Sequence, residues 1–453
     1  MRAAAATLAL PHRYATTTSR TVAWGTAEWF AIAQTAIPAL LFLPGTQGIR
    51  LYVRVASFAI SIALLVWWST SSQRRGPAHP AQLWVLGATA YVALMLLHPL
   101  TSAPLAGAAQ LVLYAAVSAP LLWAPALVRT ADHLARVMAV LLVCNGVNAL
   151  VGVLQVYDPA RWMPQEMSRI VTQSDLGLGA VTYMGPHGLI VRPPGLFDNP
   201  GAVAGPGMYA ALLGLVFAMS AIAWWKRALA LAASCAGIAA IYLSQVRVSL
   251  VVLAVMIATY AIVLTAQNRR ARAALVSGFA AALIVATFAF AIVLGGDSIA
   301  RRTYSLFEQD PISLYADSRG GQIVYTYDDL LTSYPLGAGL GRWGMIAGYF
   351  GSNNPAAPTL WAEIQVAGWA IDGGVPLLVL SFGGLAITLL SQVRLARRHP
   401  DPKVRACAAV VLAGCLGTAA LIFSFTPFVT QIGLQFWFLA GALHGVARNG
   451  GAA

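Results

Sequence analysis

Apolar runs follow one another along most of this chain, separated by short polar turns. The runs fall at about 25–44, 51–69, 82–98, 104–127, 136–156, 203–224, 228–243, 248–266, 274–295, 374–390, 406–424 and 428–446. Most come close to the roughly 20 residues that cross a bilayer. Lipid offers no water to unpaired backbone groups, so such runs are expected to be helices and not strands. The pattern therefore predicts an all-α, polytopic integral membrane protein, a single transmembrane domain over 1–453 with about twelve spans. Twice the pattern stops, at 157–201 and at 296–373. These two polar inserts hold 12 of the 15 acidic residues and much of the Pro and Gly punctuation. A membrane protein that gathers ionisable groups on one face is expected to handle a polar or anionic substrate there.

Composition agrees with the pattern. The chain is 59% hydrophobic and 9% charged, whereas a soluble domain carries roughly a quarter charged residues. The net charge of +13 would suit nucleic acid if it formed one surface, but its distribution says otherwise. With loops assigned alternately inside and outside, 18 of the 28 basic residues fall on the inside set, spread over every inside loop. That is the positive-inside bias of a membrane protein. It predicts both termini in the cytoplasm and both inserts outside it, in the periplasm or its equivalent. Cys144, Cys235, Cys407 and Cys415 fall inside predicted spans, where they read as apolar packing residues and not as a disulfide framework. The first span lacks a following small-residue cleavage site, so it is expected to stay as a signal anchor. No repeat of fixed period is visible.

In the first insert, Arg161-Trp162-Met163-Pro164-Gln165-Glu166 reads as an interfacial segment. The stretch Val191-Arg192-Pro193-Pro194-Gly195-Leu196-Phe197-Asp198-Asn199-Pro200-Gly201 is too rich in Pro and Gly for regular structure. It predicts either a solvated proline-rich turn or a stiff arm that aims the Arg192 guanidinium at an anion. Asn199-Pro200 signals the start of the next helix. A short turn, Leu243-Ser244-Gln245-Val246-Arg247, leaves Arg247 to snorkel or to face a polar cavity. A guanidinium fork is also a bidentate ligand for phosphate oxygens.

In the second insert, Arg301 and Arg302 follow the ninth run directly. Arg319 precedes 321–333, where Ile323, Tyr327, Leu330 and Leu331 have helical spacing, so an amphipathic helix is expected. Tyr334-Pro335-Leu336-Gly337-Ala338-Gly339-Leu340-Gly341-Arg342 carries three alternate glycines. They suit either a structural turn or exposed amides that bind an anion together with Arg342. Residues 359–372 read as a helix entering the tenth span, with a bend expected at Gly373-Gly374. Glu363 and Asp372 would then lie on opposite faces, with Asp372 on the face of Trp361, Gln365 and Trp369.

Arg192-Pro193-Pro194-Gly195-Leu196-Phe197-Asp198-Asn199-Pro200, then Leu243-Ser244-Gln245-Val246-Arg247, then Arg319 followed by Pro335-Leu336-Gly337-Ala338-Gly339-Leu340-Gly341 resemble the motifs of the O-antigen polymerase and ligase superfamily. The likeness covers about 135–390. It implies a GT-C-like membrane glycosyltransferase that acts on undecaprenyl-diphosphate-linked glycans at a bacterial inner membrane; no acidic cluster with metal-ligand spacing stands out, so no metal and no cofactor are expected. The implied partners are the lipid-linked donor, an acceptor glycan that is lipid-linked or lipid A-core, membrane lipids and a chain-length regulator protein. Arg192, Arg247, Arg319, Arg301, Arg302 and Arg342 would bind the donor, with Glu363 or Asp372 as the general base. Ligases of this superfamily keep a histidine before the tenth span, and 296–373 contains none, which favours a polymerase. The rivals are a solute or anion transporter, with charge deep in its spans, and a lipid-glycan flippase, with a basic central cavity. Glu28, near the start of the first span, is the one residue that points to the former.

Overall fold

The computed structural model describes residues 24–449 except 44, 72–76, 165–166, 168–180, 187, 309, 311–312, 314, 353–354 and 356. Arg2, Arg13, Arg20, Arg74, Arg75, Glu166, Arg169 and His187 lie outside the described residues, and so does most of the interfacial stretch after Met163. Among the described residues the protein is all-α apart from one hairpin. Eight helical segments among the described residues are long and apolar enough to cross a membrane: Arg50–Thr70, Pro104–Leu127, Ala131–Tyr157, Trp224–Ser244, Arg247–Ala266, Arg270–Gly295, Gln365–Arg398 and Pro402–Phe423.

The other four apolar runs also fall on helices, though these do not reach the same length or hydropathy. Gln82–Leu97 and Ala204–Ala218 are shorter apolar helices. Thr26–Ala39 contains Pro38 and tightens into a 3₁₀ turn at Leu40–Phe42. Gln431–Asn449 carries Gln431, Gln435, His444 and Arg448 along its length, which lowers its hydropathy.

Long-range hydrogen bonds sort the turns into two ends of the bundle. At one end Arg50 reaches Met167, Arg54 reaches Tyr349, Tyr91 reaches Leu336, Gln155 reaches Gly195 and Tyr315 reaches Phe423. Both inserts belong to this end. At the other end Glu28 pairs with Arg136 and His133, Lys403 with Asp132, and Gln267 with the Ala396 carbonyl. Glu28 is thus an anchor between two helix ends and not a charge in mid-bundle, which removes the one feature that pointed to a transporter.

The 204–218 and 224–244 helices set the geometry beneath the first insert. They touch backbone to backbone where Gly207 meets Gly237: a Cβ on Gly237 would lie 2.5 Å from the Gly207 carbonyl oxygen. Small residues permit such approach between helices in lipid. Ser234 Oγ adds a 2.9 Å bond to the Ala211 carbonyl. This packing brings the 244–247 turn against Gly201 at the end of the proline-rich arm.

The inserts hold two departures from expectation. Thr182–Gly185 and Gly188–Val191 form an antiparallel hairpin with Tyr183 opposite Ile190, just before the arm. The expected 359–372 helix does not form as a unit: the helix begins at Gln365, and Ile364 is extended at its N-cap. Glu363 and Trp361 therefore precede the helix, and the opposite-face argument for Glu363 and Asp372 fails. The reason is Gln322, whose Oε1 accepts both the Glu363 and the Ile364 N–H at 2.9 Å. The bend at the glycine pair is present, with Gly374 at φ 57° and ψ −149°. Helical structure does span 321–333, but a wide π turn at Thr326–Leu330 interrupts it and another at Ala316–Gly320 leads into it.

Candidate active site

Three arginines far apart in sequence converge at the insert-bearing end. Arg192 begins the proline-rich arm, Arg247 opens the Arg247–Ala266 helix, and Arg302 lies on the Asp297–Glu308 helix. Local structure fixes each one. The arm closes on itself through Gly201 N–H donating to the Arg192 carbonyl at 3.3 Å. Gln155 clamps its middle, accepting from and donating to Gly195 at 2.9 and 2.8 Å, while Asn148 accepts from Leu196 N–H at 3.0 Å. Gly195 sits at φ +67° against Asn148 and Val203, where a side chain would collide. Gln245 takes the left-handed conformation at φ 55° to end one helix so that the next can start at Arg247. Its carbonyl accepts from Arg302 Nε at 3.1 Å, and Arg247 donates to Ser305 Oγ at 2.8 Å.

The electrostatics of this cluster are those of concentrated, unbalanced positive charge. Among the described residues no carboxylate lies within ion-pair distance of Arg192, Arg247 or Arg302. The Arg192 Nε is buried without a hydrogen-bond partner. Burial first, then the charges of Arg192 and Arg247, push the Arg302 guanidinium down to about 10. Arg192 is lowered by burial and by Arg247. An anion bound between the three guanidinium groups would offset both their burial and their mutual repulsion. The N-terminus of the 247–266 helix adds its partial positive charge.

The remaining predicted residues fall elsewhere. Arg301, about 100° around the helix from Arg302, is exposed. Arg342 is 1% exposed and donates to the Ala338 and Pro358 carbonyls at 2.8 and 2.9 Å. It staples its own loop and is closed to a ligand. The alternate glycines are likewise structural, and their amides are not an exposed anion nest. Gly337 packs on Gly373, Gly339 on Leu100 and Gly341 on Ala106, each with room for no Cβ. Arg319 forms an ion pair with Glu363, whose other oxygen accepts from Trp361 Nε1 at 3.2 Å. Both side chains are partly exposed.

Asp372 is fully buried. Its Oδ2 accepts from Tyr114 Oη, Trp343 Nε1 and Gln110 Nε2 at 2.6, 2.9 and 3.1 Å. It joins the glycine loop to the Pro104–Ser118 helix.

Sequence reasoning missed a second charged group. Arg54 pairs with Asp198 at 2.5 Å and Arg50 approaches the same oxygen at 3.5 Å, with Asp198 buried. The available signal was the i, i+4 spacing of Arg50 and Arg54 at one end of an apolar run, which places both on one helix face. Beneath this pair a cavity of about 200 Å³ opens between the 26–39, 50–70, 131–157 and 431–449 helices. Compared with models of known protein families and with curated protein sequences, the chain matches none.

Proposed function

We propose that this protein is a membrane glycosyltransferase that polymerises undecaprenyl-diphosphate-linked oligosaccharide repeat units on the extracytoplasmic face of a bacterial inner membrane. The observation that carries the reading is the cluster of Arg192, Arg247 and Arg302, which has no carboxylate partner among the described residues. The reaction breaks the bond between the donor sugar and diphosphate and forms one to an acceptor hydroxyl. Negative charge grows on the departing diphosphate. Fixed guanidinium forks in a partly dry cleft stabilise it without reorganisation. The acceptor proton needs a base. Of the two acids considered, Glu363 is open to an acceptor while Asp372 is sealed, so Glu363 takes this role, held by Arg319.

Deletion of the gene, followed by glycan profiling, tests the function. Loss of long chains with short lipid-linked units retained is expected. Accumulation of full-length lipid-linked polymer would instead indicate a ligase. Sidedness has its own test in a cysteine-free background. Ser333→Cys, exposed in the second insert, should react with a membrane-impermeant thiol reagent in intact spheroplasts. Ala271→Cys, exposed in the basic turn at the opposite end, should react only after lysis; the reverse pattern overturns the topology. For the base, Glu363→Gln in a reconstituted assay with lipid-linked repeat units should lower elongation about a hundredfold. A near-normal rate removes Glu363 from the chemistry.

A further inference from the structure

We propose that the cavity between the 26–39, 50–70, 131–157 and 431–449 helices is a subsite for one uncharged sugar ring of the glycan. The purpose of this subsite rests on the glycosyltransferase reading, but its existence rests on the cavity itself. Gln34 Oε1, Asn145 Nδ2 and Gln435 Nε2 all belong to side chains that line it, and each atom is buried with no hydrogen-bond partner. Three different helices supply these amides. Leaving a buried polar atom without a partner is costly, and polar side chains facing the interior of an apolar bundle mark a ligand path by default. Two donors and one acceptor suit hydroxyl groups, which both give and take a proton.

The rest of the lining narrows the ligand. Phe30, Phe58 and Phe438 present apolar faces to the same space, suited to the C–H faces of a pyranose. The charged residues lining it are Arg54 and Asp198, which are tied up in an ion pair with each other. That selects against a phosphate. The amides select against a polyprenyl tail, for which each would be a desolvation cost. At about 200 Å³, where a single water needs roughly 10–15 Å³ on the same measure, the space accommodates one sugar ring.

Position links the cavity to the arginine cluster. Its roof is Phe197, Asp198 and Asn199, on the same arm that begins at Arg192. Six residues reach at most about 20 Å, so the subsite and the arginine cluster lie within that distance of each other. The arm is thus the common wall of both.

Cys144 lines the cavity and serves as the reporter. With Cys235, Cys407 and Cys415 replaced by alanine, the full chain in detergent is treated with methyl methanethiosulfonate. The reaction is run alone or with glucose, galactose, rhamnose or N-acetylglucosamine, against betaine at matched osmolality. At least one sugar should slow Cys144 modification about tenfold when present at about ten times its Kd, and Asn145→Leu with Gln435→Leu should abolish that protection. Should the double variant fail to fold, Gln34→Met alone should weaken protection severalfold.

Equal modification with every sugar, or protection by dodecane and not by sugars, overturns the subsite. The two readings fail separately. If Arg247→Lys elongates chains normally, the donor reading falls while sugar protection stands. If the amide variants elongate like the parent and no sugar protects, the subsite falls while the donor reading stands.

Discussion

Arg247→Ala and Arg302→Ala will each lower chain elongation by about a hundred- to a thousandfold, the effect of removing one preorganised donor from a developing anion. Lysine at either position will rescue little. It supplies charge but not the planar fork, and at 302 it also loses the Nε bond to the Gln245 carbonyl. The unliganded protein should respond in the opposite sense at position 192. Arg192 has a buried Nε with no partner and a neighbouring like charge in Arg247. Arg192→Gln should therefore raise the thermal midpoint in detergent by a few degrees while elongation falls. Sites that bind charge commonly sacrifice stability in this way. A lower midpoint together with normal elongation would make these arginines structural and overturn the anion site.

Asp372→Ala should cost the fold before it costs the chemistry. The substitution strands three donors, from Gln110, Tyr114 and Trp343, in a fully buried place. At roughly 1–3 kcal/mol for each unsatisfied group, the loss is about 3 kcal/mol or more, enough to release the glycine loop from the helix break at Gly374. Thermal unfolding in detergent measures it. Asp372→Asn keeps an accepting oxygen for the same donors and should retain both the midpoint and most of the elongation rate. An Asn variant with a normal midpoint and no elongation would restore Asp372 to a chemical role.

The contrast between Arg302 and Arg342 shows where sequence reading stops. Both are arginines in the second insert, and composition treats them alike. Arg342 is folded back onto the Ala338 and Pro358 carbonyls, whereas Arg302 faces two further arginines. The glycines at 337, 339 and 341 permit either an exposed nest or a buried crossing. The partner backbones at Gly373, Leu100 and Ala106 decide for the crossing, and no local signal names them. Arg50 and Arg54 were legible as a pair on one face, but their partner Asp198 lies more than a hundred residues away.

What the sequence determined by itself follows from local physics. A run of apolar residues demands a helix in lipid whatever surrounds it, so the twelve runs and the helices over them coincide. Gly and Pro restrict backbone wherever they stand, so the stiff arm at 191–201 and the bend at Gly373-Gly374 were legible. Tertiary structure alone decided which ionisable groups meet. It sealed Asp372 and stapled Arg342. It paired Arg319 with Glu363 and left Arg192, Arg247 and Arg302 facing one another. Charge interactions depend on distance and burial between residues far apart in the chain, and neither is written in the order of residues.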